Sequence, residues 1–293
     1  MGAALADASR AARDVFSEVD EALGQNLFKL MRDGPDEELR LTENAQPAIM
    51  AHSLAVLRTW GVRLPDVANF VAGHSLGEYS ALCAAGSFDL ATTAKLLKLR
   101  GQAMQQAVPV GIGAMAALLG ADLALAQEIA EAAAQGEVCT VANDNDPSQV
   151  VISGHKAAID RAIEMAKDMG AKRAVPLPVS APFHCPLMQP AAEAMRDALS
   201  YVVIRPPVVP VFANVTAQPE TDPDTIRNQL VEQVTGMVRW RESVANMFDS
   251  GVHEFVEVGG KVLGAMVKRI APDAKVTGVV TIEDVEALAK EIA

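Results

Sequence analysis

Aromatic side chains are scarce in this sequence, 4% of its 293 residues, although half of the chain is hydrophobic. A core must therefore be built from Ala, Val, Leu, Ile and the 12 Met rather than from stacked rings. Cysteine is scarcer still. Cys83, Cys139 and Cys185 are odd in number and far apart, and no C-x-x-C pair occurs, which excludes a disulfide framework and a cysteine-rich metal site and suits a reducing cytoplasm. Positive charge is in deficit: 25 Lys and Arg against 37 Asp and Glu leave a net charge of −12, which works against nucleic acid or anionic lipid as partners. No apolar run of membrane-spanning length is present, and residues 1–14 carry charges inside their apolar pattern in place of a signal-peptide core. A phosphate-loop GxxxxGK[ST], a dinucleotide fingerprint and zinc spacings are all missing, so neither a cofactor nor a metal is expected. What remains is a soluble, cytoplasmic α/β protein of two domains, or of one domain with an insertion.

Hydrophobic periodicity gives the order of elements. Ala12, Val15, Phe16, Val19 and Leu23 recur at helical spacing, Gly34-Pro35 marks a break, and a longer helix follows with Pro47 as an early residue and Gly61 as its stop. Residues 67–72 read as a strand that runs into Gly73-His74-Ser75-Leu76-Gly77 and then a helix. After a helix at 90–106 and a linker at 108–111 the rhythm changes: strand 114–119, helix 123–134, strands 138–142 and 149–153 around an Asn-Asp-Asn-Asp-Pro turn, helix 157–168, strand 171–178. That order, βαββαβ, is the ferredoxin-like unit. The remainder alternates again: helix 187–199, strand 208–213, helices 225–234 and 238–248, strand 254–258, and a helix re-entered at Lys261. The expected fold is a larger α/β-hydrolase-like domain with a parallel sheet, residues 1–110 and 181–293, interrupted by a smaller ferredoxin-like domain at 111–180.

Gly73-x-Ser75-x-Gly77 between strand and helix is the strongest local signal. The pattern arises by chance about 0.1 times in a chain of this length, and its context suits a serine held clear of the backbone at the end of a strand. The Leu76 amide, opening the helix, points where an oxyanion would form. The bland alternative is an inert capping serine. Of the five histidines, His52 and His155 sit where packing or surface histidines are common, His74 should diverge from its neighbour Ser75, and His253 begins a strand. His184, in the proline-stiffened Ser180-Ala181-Pro182-Phe183-His184-Cys185-Pro186 loop, is the best placed base. No Asp or Glu obviously completes a triad, and a carbonyl could serve instead. Arg100, taken alone, reads as a solvated arginine on a helix face.

Several segments together carry a resemblance: Thr42-Glu43-Asn44-Ala45-Gln46-Pro47-Ala48, Gly73-His74-Ser75-Leu76-Gly77-Glu78-Tyr79, Arg100-Gly101-Gln102-Ala103-Met104-Gln105, Val179-Ser180-Ala181-Pro182-Phe183-His184 and Glu257-Val258-Gly259-Gly260-Lys261. Over nearly its whole length the chain resembles the malonyl-CoA:acyl carrier protein transacylases of bacterial fatty acid synthesis. The resemblance implies Ser75 as nucleophile, His184 as base, Gln233 as the residue offering a carbonyl to the imidazole, and Arg100 as the arginine for the malonyl carboxylate. By the same resemblance Leu76 would supply an oxyanion amide, Gln46 and Asn145 align with polar residues near the site, and Phe183 stands where malonyl-selective members carry a bulky residue. Malonyl-CoA and acyl carrier protein are the implied partners, with Lys172-Arg173, Arg239, Arg241 and Lys268-Arg269 as candidates for docking an acidic carrier. Family members also carry an N-terminal strand and a Gly-Gln-Gly loop that gives a second oxyanion amide. Here Met1-Gly2 leads straight into a helical pattern, and the turn at 258–261 is one residue short, so reduced activity is expected. A serine esterase or thioesterase, or a carrier-binding scaffold without catalysis, are the competing classes.

Overall fold

Most of the chain is helical, as its stripes of apolar residues dictate. The computed structural model describes residues 1–292. Helix Arg10–Leu23 buries Ala12, Val15, Phe16 and Val19 on one face; Ser9 caps it by accepting from the Ala12 N–H, and Gly24 ends it in the left-handed region. This helix packs with Thr42–Trp60 and Leu90–Gln106 to form the main core. Gly61 stops helix Thr42–Trp60 as its sequence implies, but Pro47 lies well inside it rather than in its first turn, so the helix runs past a missing ladder donor.

Strand β1 is only Val71–Ala72, shorter than the apolar run, because Leu64–Val67 with Pro65 in its first turn winds into a short helix instead. The next four strands, β2 (Gly113–Leu119), β3 (Cys139–Asp146), β4 (Gln149–His155) and β5 (Arg173–Pro176), form a separate sheet in the order β3-β4-β2-β5, every neighbour antiparallel. Side chains alternate between its faces. Ala116, Leu118, Val150 and Ile152 pack with helices Leu123–Ala134 and Lys156–Ala166, whereas Met115, Ala117 and Val151 face Leu177 and Phe183. This is the βαββαβ arrangement expected from periodicity.

Residues 143–146 do not form a turn, as their Asn/Asp composition suggests, but continue β3. The reason is a second partner: the Asp144 N–H donates to Val238 O and the Val238 N–H to Ala142 O, while the register against β4 shifts twice. Only Pro147-Ser148 turns, with Asp146 Oδ1 accepting from the Ser148 N–H and hydroxyl. Two ion pairs tie this end of β3 to the larger unit, Arg241 to Asp144 and Arg269 to Asp146, each 2.8 Å, and both carboxylates are buried. Burial raises the Asp144 carboxyl even with Arg241 beside it. Arg241→Ala strands that carboxylate; because Arg241 is itself partly exposed, the expected loss is roughly 1–3 kcal/mol of unfolding free energy, less than for a fully buried pair. Urea denaturation of the two proteins checks it, and an unchanged midpoint would show the pair to be dispensable.

The larger unit resumes with helix Gln189–Ser200, then β6 (Val211–Phe212), parallel to β1, and β7 (Pro219–Glu220), antiparallel to β6. Strands β8 (Glu254–Val258) and β9 (Lys275–Val279) form a second parallel pair, followed by helix Ile282–Ile292. The architecture is thus a larger α/β unit with parallel strand pairs and a smaller antiparallel sheet. Among the described residues no helix is long and apolar enough to cross a membrane.

Candidate active site

The turn after β1 is built around a close backbone approach. A Cβ on Gly73 would lie 1.9 Å from Gly77 O, so this position admits only glycine; Gly77 itself has open space where a side chain would go. Ser75 follows at φ 53, ψ −112, a conformation costing on the order of 1–3 kcal/mol for a residue with a Cβ. Side chains from elsewhere hold it there. Its N–H donates to Asn214 Oδ1 at 2.7 Å, and its carbonyl accepts from the Glu78 N–H and from Gln233 Nε2, both at 3.0 Å. The hydroxyl makes no capping bond to helix Leu76–Ala84. It lies 2.8 Å from His184 Nε2 and accepts from Arg100 Nη2 at 3.1 Å. Among the described residues nothing accepts from the Leu76 N–H.

His184 is buried at positive φ, 56°. Its Nδ1 lies 2.8 Å from the backbone carbonyl of Gln233. A carbonyl only accepts, so the proton belongs on Nδ1 and the lone pair of Nε2 faces Ser75 Oγ. Burial, and then the positive Arg100, push the imidazole down to about 3, leaving it neutral at physiological pH. Its loop is anchored on β2: the Leu177 N–H donates to Met115 O, and Pro182 presses so closely on Gly113 that a Cβ there would meet the ring at 2.3 Å. The other histidines point elsewhere. His52 is buried in its helix, His155 Nδ1 accepts from the Val138 N–H, and His253 stands edge-on to Phe248.

Arg100 is not solvated; it is 1% exposed. Gly101 allows this, since a Cβ there would sit 2.5 Å from Glu43 Cα and hold its helix away from Thr42–Trp60. Nη1 donates to Gln46 Oε1 at 2.7 Å and Nη2 to Gln233 Oε1 at 2.9 Å, while Nε has no acceptor among the described residues. Gln46 is fixed in turn by donating from Nε2 to Thr42 Oγ1. No carboxylate pairs with the guanidinium among the described residues, and burial lowers its pKa.

Five of the residues singled out from sequence therefore meet in one hydrogen-bonded cluster: Ser75, His184, Gln233, Arg100 and Gln46. Asn145, on β3, is not bonded to this cluster; its Oδ1 lies 2.8 Å from Nε2 of His74, whose ring packs near Trp240. Phe183 is half-buried against the site-facing side of the small sheet. Two buried residues went unmarked in the sequence, Asn214 and Glu78. The spacing Ser75-x-x-Glu78 is that of a capping box, in which the glutamate would reach back to the serine N–H. Here it turns away to Gln233 and Asn214, and that spacing was the available signal. Among the described residues no group of His, Cys, Asp and Glu could hold a metal ion.

A serine with a carbonyl-held histidine on a strand-turn-helix elbow defines a class, the acyl-transferring serine enzymes, and residues 1–276 match the model of the acyl transferase domain. The chain belongs to this acyl transferase family and, within it, to the malonyl-CoA:acyl carrier protein transacylases. The malonyl CoA-acyl carrier protein transacylase of Escherichia coli K12 is 47% identical over 258 residues, 88% of this chain and 84% of that protein. The crystal structure of acyl-carrier-protein S-malonyltransferase from Bartonella henselae superposes with a TM-score of 0.97 at 51% identity, covering 100% of this chain and 94% of that one. A malonyl-transacylase in complex with its type II PKS acyl-carrier protein superposes at 0.95 with 39% identity, covering 99% and 94%.

Proposed function

We propose that this acyltransferase moves a malonyl group from CoA to the phosphopantetheine thiol of an acyl carrier protein through an ester on Ser75. The observation that carries the reading is Arg100: a buried guanidinium without a carboxylate partner, its Nη2 3.1 Å from the serine hydroxyl. Such a group is costly to bury unless an anion completes it. A free carboxylate on the acyl group supplies that anion by paired hydrogen bonds.

In the first half-reaction Ser75 Oγ attacks the thioester carbonyl while His184 Nε2 takes its proton. The tetrahedral oxyanion accepts from the Leu76 N–H, and CoA leaves as its thiol, reprotonated by His184. In the second, the carrier thiol gives its proton to His184 and attacks the seryl ester, and Ser75 departs with the proton returned. Gln233 O keeps the imidazole in the required tautomer throughout. We take residues 111–180 as one domain and 1–110 with 181–293 as the other, the acyl site lying in the larger.

Intact-protein mass spectrometry tests the proposal. Malonyl-CoA should add one malonyl group, and the pantetheinylated carrier should remove it and appear malonylated. Release to water at the same rate without carrier would make the protein a hydrolase. Arg239, Arg241 and Arg269 are engaged with Glu242, Asp144 and Asp146, and Lys268 donates to the Pro272 and Ala274 carbonyls, so of the basic candidates Lys172 and Arg173, exposed and without a carboxylate partner among the described residues, are the better docking residues for an acidic carrier.

Phe183 gives a further expectation. Its ring adjoins His184 and crowds an α-methyl on the acyl chain, so methylmalonyl-CoA should acylate Ser75 poorly. Phe183→Ser is expected to raise methylmalonyl relative to malonyl transfer by about 10- to 200-fold, the scale of one methyl group in a pocket. An unmoved ratio would leave Phe183 as packing alone.

A further inference from the structure

The chemistry above leaves one buried charge without a role. Glu78 is 3% exposed on helix Leu76–Ala84, and one of its oxygens, Oε2, accepts from Gln233 Nε2 at 2.8 Å and from the Asn214 N–H at 3.0 Å. We propose that Glu78 is a positioning residue: by gripping Gln233 and Asn214 through one oxygen, it fixes the orientation of the two amides that hold the Ser75 backbone and of the carbonyl that faces Arg100. The proposal rests on the malonyl-transfer reading of the site.

A carboxamide has two ends of nearly equal size, and its neighbours decide which way it lies. A carboxylate only accepts and a guanidinium only donates. Gln233 bridges the two, so Nε2 must face Glu78 and Oε1 must face Arg100, the latter at 2.9 Å. The same Nε2 reaches Ser75 O. On the other branch Glu78 holds the Asn214 N–H, Asn214 Nδ2 donates to Gly73 O at 2.8 Å, and Oδ1 is thereby turned to the Ser75 N–H. Both backbone groups of a serine in a strained conformation thus trace to a single carboxylate.

The charged and titratable groups around Glu78 are Arg100 from helix Leu90–Gln106, Tyr79 on its own helix, and His184 across Gln233. Burial raises the Glu78 carboxyl to about 7, against the pull of Asn214, Gln233 and Arg100. Gaining a proton near neutrality, it ceases to be a pure acceptor, and Gln233 loses the partner that decides its orientation. His184, neutral down to far lower pH, contributes no inflection in that range.

The test is a double-mutant cycle read as the rate of Ser75 acylation by malonyl-CoA across about pH 5.5 to 8.5. Glu78→Gln keeps the shape and removes the charge; Gln233→Met removes the amide and keeps the backbone carbonyl on His184. Wild-type acylation should fall as pH drops through the neutral range, and Glu78→Gln should lack that inflection. At the alkaline end Glu78→Gln should slow acylation at least about fivefold alone, but less than about twofold in the Gln233→Met background, because a neutral Glu78 or its glutamine replacement still offers an oxygen to the Asn214 N–H and only the Gln233 branch is lost. An inflection that persists in Glu78→Gln, or an equal loss in both backgrounds as a merely structural role would give, overturns the proposal. Should Glu78→Gln fail to fold, Gln233→Met decides, because uncoupling Glu78 from Arg100 must remove the same inflection. If a different acyl-CoA labels Ser75 and malonyl-CoA does not, the malonyl reading falls, and the same cycle run with that donor still decides the role of Glu78.

Discussion

Ser75→Ala should abolish the acyl-enzyme and slow transfer by at least about 10⁴-fold, the scale seen when a nucleophile acting with a base is removed. The hydroxyl, 2.8 Å from His184 Nε2, is the group proposed to form the covalent bond, and its loss leaves that nitrogen with no proton to take. The rest of the cluster should stand. Asn214 and Gln233 hold the backbone of residue 75 rather than its side chain, and alanine accepts that conformation no worse than serine. Intact mass after exposure to malonyl-CoA reads the loss directly. A labelled Ser75→Ala protein would place the nucleophile elsewhere.

Arg100→Ala should reduce acylation by malonyl-CoA about 10- to 150-fold, the equivalent of roughly 1.5–3 kcal/mol for a charge-assisted pair. The same substitution leaves Gln46 Oε1 and Gln233 Oε1 without their donor, so some general loss accompanies the specific one. Comparing malonyl-CoA with acetyl-CoA in the same variant removes the shared part, because acetyl offers no carboxylate. The ratio of the two rates should collapse toward unity, and Arg100→Lys should recover little of it, since an ammonium cannot make the paired contact. An unchanged ratio would take Arg100 out of acyl recognition.

The helices were legible because burial imposes a period, and the small sheet because its strands alternate faces under two amphipathic helices. What the sequence concealed was set by distant partners. Asn143 to Asp146 have the composition of a turn, yet Val238 and two arginines far along the chain pull them into β3. Strand β9 carries Gly278 and lysine beside its valines, which blurs the alternation that marked β8. At the site, Ser75 and His184 stood out because a glycine turn and a proline loop break regular structure. Arg100 looked solvated because nothing local records that Gly101 lets a second helix close over it. Asn214 has no pattern of its own, and the capping-box spacing of Glu78 points to the wrong partner; the importance of both lies in which atoms they orient.

The anchoring of the His184 loop on β2, through Leu177 and Pro182, divides the site mechanically. Nucleophile, arginine and both orienting amides belong to the frame of the larger unit, while the base arrives on a tether tied to the small sheet. A slight tilt of that sheet would act through the loop on the two contacts of the imidazole, Nε2 to Oγ and Nδ1 to Gln233 O, and leave the backbone contacts of Ser75 in register. Thermal softening should therefore disengage proton transfer before it disturbs acyl recognition, so that warming the protein lowers turnover at temperatures where a carboxylate ligand still binds.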